Sequence, residues 1–114
     1  MLRIMPIAIF TLFGVACSLS VRPDFNSQLP QDRLAAIRET RQTGNVSAVG
    51  PLIELLSSDD PLVRLASIDT LHDLTGEDFG YDPSAPRMER ERAASRWAQW
   101  YMAGQAPPDP EAER

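Results

Sequence analysis

Two similar segments decide the fold: PQDRLAAI at residues 30–37 and PLVRLASI at residues 61–68. Aligned at a spacing of 31 residues, they share identical residues at five positions. The identical pairs are Pro30 with Pro61, Arg33 with Arg64, Leu34 with Leu65, Ala35 with Ala66, and Ile37 with Ile68. A fainter echo, RAAS, follows at residues 92–95. A repeat of this period indicates stacked structural units that bury their apolar faces against one another.

The second copy predicts a helix over residues 61–75. Pro61 suits a first helical position, where its missing N–H costs nothing, and Asp60 before it is a predicted N-cap. Gly76 follows the last apolar residue as a predicted stop. Apolar side chains are spread around most of the helix, at Val63, Leu65, Ala66, Ile68, Leu71 and Leu74. Such a helix is expected to pack between neighbours.

The flanking segments predict further helices. In SAVGPLIELLSS, Ser47 is a predicted N-cap, and Val49, Leu52, Ile53 and Leu56 recur at helical spacing. The short SSDD link makes this helix antiparallel to the next. Towards the C-terminus, Ala94, Trp97, Ala98 and Tyr101 show the same spacing. The sequence thus predicts an all-α fold without strands, with helices at about 30–43, 48–57, 61–75 and 86–103.

The segment from Ser47 to Gly76 resembles one complete unit of the HEAT-repeat family, in the short bacterial form related to phycobilisome-lyase repeats. Residues 30–45 resemble the second helix of a preceding unit. LTGEDFGYDP and RAASRWAQWY are similar to the closing segment of small planctomycete-like HEAT proteins. The resemblance covers about 30–103 and implies a short α-solenoid of two and a half helical hairpins. It also implies a hydrogen-bonded ladder between repeats, from Asp60 (or Asp59), Arg64 and Arg33.

The N-terminal sequence MLRIMPIAIFTLFGVACSLS has the pattern of an export signal, with Arg3 before thirteen uncharged residues at 4–16. GVAC approximates a lipobox, although Gly14 stands where leucine is usual. We therefore expect a lipoprotein-type signal at 1–16 and a lipid, with palmitate among its acyl chains, on Cys17. Ordinary cleavage at Ala16 or Ser18 and an uncleaved membrane helix over residues 4–21 are the alternatives. All three predict the bacterial cell envelope, on the periplasmic side.

The segments around the repeats complete the domain organisation. Residues 17–29 lack periodicity and predict a flexible tether, residues 30–103 form the helical domain, and the proline-rich segment 104–114 predicts a disordered tail. The chain of 114 residues has a formal net charge of −5, which disfavours nucleic acid and anionic lipid surfaces as partners. Because Cys17 is the only cysteine, neither a disulfide nor a thiolate metal site is expected.

The loop LTGEDFGYDP at residues 74–83 carries carboxylates that could suggest calcium binding. Glu77, Asp78 and Asp82, together with Asp73 just before the loop, do not follow the spacing of a calcium loop, however. The end of a helical stack must instead hide its last apolar face from water. The sequence therefore predicts an aromatic cap formed by Phe79, Tyr81, Trp97, Trp100 and Tyr101.

Other polar residues have structural interpretations. His72, the only histidine, is predicted to be a surface residue. An arginine-rich stretch that could suggest nucleic-acid binding contains Arg87, Arg90, Arg92 and Arg96. Glu89 and Glu91 alternate with these arginines, so Arg87–Glu91 and Glu89–Arg92 are expected to pair along the helix.

No catalytic, cofactor-binding or metal-binding residue is predicted, and the chain is not expected to be an enzyme. We predict a membrane-tethered protein–protein interaction module whose partner is another envelope protein or a second copy. The predicted partner face is Leu34 and Ile37, extended by Leu65 and Ile68, because no helix precedes the first one. An accessory enzyme similar to bilin lyases is the alternative, and a structural remnant without a discrete partner is a third interpretation.

Overall fold

A computed structural model describes residues 21–104, in which four α-helices follow one another. The helices are α1 (Pro30–Thr43), α2 (Val49–Leu55), α3 (Pro61–Thr75) and α4 (Arg87–Met102), and a 3-10 turn at Val46–Ala48 precedes α2. No strand occurs within this range, so the prediction of an all-α fold is confirmed. The predicted signal at 1–16, Cys17 and the tail beyond Gly104 lie outside the described residues.

The predicted ends of α3 are confirmed. One carboxylate oxygen of Asp60 accepts hydrogen bonds from the N–H groups of Leu62 and Val63, at 2.8 and 3.0 Å. At the other end, Gly76 has a φ of +77° and donates its N–H to the carbonyl of His72. These are the N-cap and glycine stop that the sequence indicates, because glycine adopts positive φ without steric cost.

The predicted N-cap of α2 is wrong. Ser47 lies inside the 3-10 turn, where the side chain of Asn45 accepts hydrogen bonds from both the N–H and the hydroxyl of Ser47. The α-helix then begins at Val49 without a side-chain cap. Asn45 therefore takes the capping role, because its side chain bonds to its own backbone two residues on.

Helix α3 is central to the packing. Both α1 and α2 pack against it, and α4 packs against α2. The largest side chains of the resulting core are fully enclosed, namely Leu52, Leu56, Val63, Leu71 and Trp97. The short turn between α2 and α3 places these two helices side by side, as the sequence predicts. Membrane-spanning length and hydropathy are not found in any helix within residues 21–104.

The predicted partner face requires correction. Ile37 is only 3% exposed and Ile68 only 6%, because α1 packs directly against α3 and both side chains join the core. Leu34 is half-buried against the same core. Leu65 is different: it is 45% exposed, although it occupies the position in α3 that matches Leu34 in α1. Of the four predicted partner-face residues, Leu65 on α3 is therefore the exposed one.

The predicted tether is shorter than residues 17–29. Phe25 packs against the core, and Ser27 donates its hydroxyl to a carboxylate oxygen of Asp32 at 2.7 Å. The N–H of Asp24 donates to the carbonyl of Asp32, which joins this segment to the first turn of α1. Residues 24–29 therefore belong to the folded domain. The polar sequence of this segment does not predict its attachment, because the segment is held by hydrogen bonds and by a single aromatic ring rather than by a periodic apolar face.

Candidate functional site

An arginine stands four residues after the N-cap of α1, α3 and α4. These residues, the turn arginines, are Arg33, Arg64 and Arg90. Arg33 donates from Nε to the carbonyl of Ser27 at 2.7 Å and from Nη2 to the carbonyl of Gln28 at 3.2 Å. Its guanidinium therefore turns back onto the segment that enters α1.

Arg64 repeats this arrangement at α3. Its Nη1 donates to the carbonyls of Ser58 and Asp59, at 3.0 and 3.1 Å, which lie at the same sequence distances before Arg64 as the acceptors of Arg33. Arg90 donates to the carbonyl of Ala85 at 3.0 Å. Each of these three helices thus ties down its own entry turn. Sequence reasoning missed the role of Arg90, because Arg90 stands four residues after its proline whereas Arg33 and Arg64 stand three residues after theirs.

Two of the turn arginines also reach the next unit. Arg33 donates from Nη1 to the hydroxyl of Ser58, at 3.2 Å, and Arg64 donates from Nε to the carbonyl of Pro83, at 3.3 Å. The predicted ladder therefore has different partners. Asp60 uses its carboxylate to cap α3, so the acceptors for Arg64 are backbone carbonyls rather than an aspartate side chain.

Four of the five predicted cap residues form or adjoin one aromatic cluster. Trp97 is fully buried, with the ring of Phe79 at 4.7 Å and that of Trp100 at 5.5 Å, both edge-on. The Trp97 indole N–H donates to the carbonyl of Asp78 at 2.9 Å. Tyr81 is 6% exposed and belongs to the same core. Edge-on aromatic pairs of this kind add stability beyond the area they bury.

Tyr101 lies apart from that cluster. It is 40% exposed and packs against α2, where a Cβ added at Gly50 would lie 2.8 Å from its hydroxyl oxygen. The prediction that Tyr101 belongs to the aromatic cap is therefore wrong. Because it lies four residues after Trp97, Tyr101 is on the same side of α4 but one turn further along, where it meets the start of α2 at Gly50.

A tight turn holds the aromatic cluster in place. Phe79 and Gly80 both have positive φ, at +52° and +72°, and the N–H of Tyr81 donates to the carbonyl of Asp78. This is the backbone of a type I′ turn. A positive φ is strained for phenylalanine. The strain is offset by ring packing and by Arg96, which donates to the Phe79 carbonyl at 3.0 Å.

The carboxylates of the loop serve the backbone. Asp78 accepts the N–H of Gly80 and Asp82 accepts that of Ser84, both at 2.8 Å. Asp73 pairs with Arg41 at 2.9 Å. Within residues 21–104, no group of three or more His, Cys, Asp or Glu side chains is placed to hold a metal ion.

A groove runs along the open side of α3 and encloses about 490 Å³. This α3 groove is lined by Arg41, Leu65, Asp69, His72, Asp73 and Pro83, among others. Leu65, Asp69 and His72 are all exposed, as the sequence predicts for His72. The buried side chains of Ile68 and Tyr81 form part of its floor. The surface therefore combines an apolar strip with carboxylates.

The two carboxylates on the α3 side of the groove differ in whether they form an ion pair. Asp73 is paired with Arg41, and both side chains are about half exposed, at 48% and 55%. Asp69 takes no part in either of the ion pairs present in residues 21–104. The groove can therefore recognise an apolar side chain that is followed by a positive charge.

The arginine-rich stretch of α4 is partly self-neutralised. Arg87 and Glu91 pair at 2.9 Å, as predicted, and the hydrogen bond that Arg87 donates to the Glu91 carboxylate raises the pKa of Arg87. The predicted pair between Glu89 and Arg92 is not among the ion pairs of residues 21–104. Arg92 therefore presents its charge to solvent on the exposed side of α4.

Comparisons of the chain with models of known protein families, with curated proteins and with solved structures find no match. The resemblance of residues 30–103 to the HEAT-repeat family therefore stays a prediction.

Proposed function

We propose that this chain is a membrane-tethered protein–protein interaction module of the bacterial cell envelope, and that the α3 groove is its binding face. One observation carries this proposal: the central helix of the fold leaves Leu65 exposed beside the carboxylate of Asp69. Leu65 does not stand alone, because the groove beneath it exposes parts of Ile68 and Tyr81 and carries carboxylates at its edge. An apolar centre with a polar rim is typical of a surface that receives another protein.

The architecture that we propose is a short α-solenoid of the HEAT type. Alternate helices pack together, α1 with α3 and α2 with α4, as expected for two layers of a helical stack. The turn arginines repeat one set of contacts at successive units, which supports the same interpretation. In such a stack one layer forms a continuous surface, and the α3 groove would be part of it.

The proposed attachment to the membrane depends on the sequence around Cys17. The apolar segment before it and the residues Val15 and Ala16 favour lipidation of this cysteine. A lipid on Cys17 would hold the module at the periplasmic side of a membrane. Binding rather than catalysis is proposed because the groove offers recognition chemistry, namely an apolar strip and carboxylates.

Photo-crosslinking in the native cell tests this function. Asp69 is replaced by a photoreactive phenylalanine in the full-length chain, and crosslinked proteins are identified by mass spectrometry. We expect one discrete protein partner at position 69. The control is the same replacement at Val46, which is 64% exposed and lies outside the groove.

Equal crosslinking at positions 69 and 46 would contradict the proposed binding face. The same preparation reports the mass of the N-terminal peptide, and a Cys17 without lipid would contradict the anchor. A rise in thermal midpoint with added bilin would instead favour an accessory enzyme.

A further inference from the structure

We propose that the partner in the α3 groove is helix α4 of a second copy of this chain, bound head to tail. This inference rests on the proposed function, because it names the occupant of the same groove. It arises from a match between two exposed surfaces of one molecule, one on α3 and one on α4.

The first surface is the α3 stripe, defined as Leu65, Asp69 and Asp73. The three positions are separated by four residues each, so they follow one side of the helix. All three side chains are exposed, and all three line the α3 groove. The stripe therefore reads as one apolar residue followed by two negative charges.

The second surface is the α4 stripe, defined as Met88, Arg92 and Arg96. It has the same spacing of four residues. Met88 is 68% exposed, and Arg92 and Arg96 are also exposed. This stripe reads as one apolar residue followed by two positive charges, so it is the charge complement of the α3 stripe.

A parallel alignment of the two stripes brings every position to a suitable partner. The three facing pairs are Leu65 with Met88, Asp69 with Arg92, and Asp73 with Arg96. In an antiparallel alignment centred on the same charge pair, Leu65 would instead face Arg96. The match therefore selects one direction and one register.

The central pair is expected to contribute most. Asp73 already pairs with Arg41, and Arg96 already donates to the carbonyl of Phe79. Asp69 and Arg92, in contrast, take no part in the ion pairs present in residues 21–104. A second copy would supply each of them with an opposite charge.

The two stripes are different surfaces, so the contact is heterologous. Within one chain, α4 packs mainly against α2, and its stripe stays open to another molecule. A heterologous contact leaves one free groove and one free α4 at the ends of every open assembly, whereas a closed ring has neither. Tethering to a membrane would favour such a contact by raising the local concentration.

Mixed thiol crosslinking tests the register. Two full-length variants are prepared in detergent, both with Cys17→Ser, one carrying Leu65→Cys and the other Met88→Cys. We expect the mixture to form disulfide-linked dimers several-fold faster than either variant alone. A matched mixture of Val46→Cys with Met88→Cys measures random encounter.

Charge reversal in the same assay tests the central pair. Asp69→Arg on the Leu65→Cys chain, or Arg92→Asp on the Met88→Cys chain, should each reduce the yield to the random level. The two reversals together should restore it, and added salt should weaken crosslinking of the unreversed pair. Circular dichroism of each variant establishes that its helical content is unchanged.

Two results would overturn the inference: a mixture that crosslinks no faster than the Val46→Cys control, or a yield that neither reversal changes. If that happened while position 69 still captured a different envelope protein in cells, the second-copy proposal would fail and the proposed function would stand. Restoration by the double reversal supports the contact directly.

Discussion

The hydroxyl of Tyr81 donates a hydrogen bond of 2.6 Å to the carbonyl of Leu56, 25 residues earlier in the chain. Leu56 ends α2, and Tyr81 belongs to the turn that precedes α4. Burial of the ring raises the pKa of the phenol above its ordinary 10.0, while the positive charges of Arg64 and Arg90 act in the opposite direction. The bond therefore joins two loops through a group that titrates only in strong alkali.

This bond predicts a loss of stability at high pH. A phenol whose pKa is raised by folding binds its proton more tightly in the folded state. Its contribution is fully present below pH 10.0 and is lost as the pH rises through the folded-state pKa. Urea unfolding between neutral pH and strong alkali should show this decline.

Tyr81→Phe is the matched variant for that measurement. It should lower the free energy of unfolding by about 1–3 kcal/mol at neutral pH, because the Leu56 carbonyl loses its partner. Above pH 10 the free energy of unfolding of this variant should also decline less steeply than that of the unsubstituted protein. Parallel curves for the two proteins would contradict the assigned role of the phenol.

Substitution of a turn arginine is predicted to lower stability more than substitution of a surface arginine. Arg64→Met removes three hydrogen bonds to the backbone carbonyls of Ser58, Asp59 and Pro83. We expect the free energy of unfolding to fall by about 1–3 kcal/mol, since these partly buried acceptors lose a charged donor. The control Arg92→Met should change it by less than about 0.5 kcal/mol. If the two substitutions lowered the free energy of unfolding equally, the loss of a positive charge would explain both, and the hydrogen bonds of Arg64 would not be stabilising.

The N-caps of α1 and α3 predict opposite effects. Asp60→Ala removes two hydrogen bonds to the start of α3 and should cost about 1 kcal/mol. Leu29 has nearly the same backbone angles at the start of α1 but makes no side-chain cap. Leu29→Ser should therefore raise the free energy of unfolding by about 0.5 kcal/mol. Thermal and urea unfolding of both variants measure these changes, and a destabilising Leu29→Ser would contradict the argument.

The corrected partner face predicts that two of its residues, Ile37 and Leu65, respond differently to truncation. Ile37→Ala should destabilise the domain by about 2–5 kcal/mol, because a core side chain is lost. Leu65→Ala should leave stability within about 0.5 kcal/mol yet reduce crosslinking at position 69. Denaturation and crosslinking yields are to be compared for the two variants. Strong crosslinking by Leu65→Ala would exclude Leu65 from the binding face.

The contact between Gly50 and Tyr101 predicts coupling between α2 and α4. In Gly50→Ala the new Cβ would lie 2.8 Å from the Tyr101 hydroxyl oxygen, so the half-exposed ring must move. The lost contact should offset the higher helix propensity of alanine, which is worth about 0.5–1 kcal/mol. In a Tyr101→Ser background the same change should stabilise by about that amount. A double-mutant cycle of unfolding free energies measures the coupling, and additive effects would contradict it.

The fold was accessible from sequence because its helix ends carry explicit signals. Asp60, Pro61 and Gly76 define α3 almost by themselves, and the repeat transfers that pattern to α1. The start of α2 could not be predicted from sequence. Asn45 and Ser47 are both suitable N-cap residues, and only the local geometry decides between them. Here the side chain of Asn45 accepts the hydrogen bond from the backbone N–H of Ser47, so Ser47 does not act as the N-cap.

The candidate site was much less predictable. The place of Ile37 in the first repeat helix predicts exposure, but its burial depends on the packing of α1 against α3, which is distant in sequence. The sequence assigns Leu65 and Ile68 alike to the apolar positions of α3 and to the extension of the partner face, and only the packing shows that Leu65 is exposed while Ile68 is buried. The acceptors of Arg64 are backbone carbonyls, which every residue carries, so the sequence gives no sign of which residues provide them.

The attachment of residues 24–29 to α1 limits how far the domain can stand from its anchor. If Cys17 carries a lipid, only six residues, 18–23, separate it from the folded chain. Fully extended, six residues reach about 20 Å. The module would then lie close to the headgroups, and a partner would have to offer its binding surface within reach of that short tether.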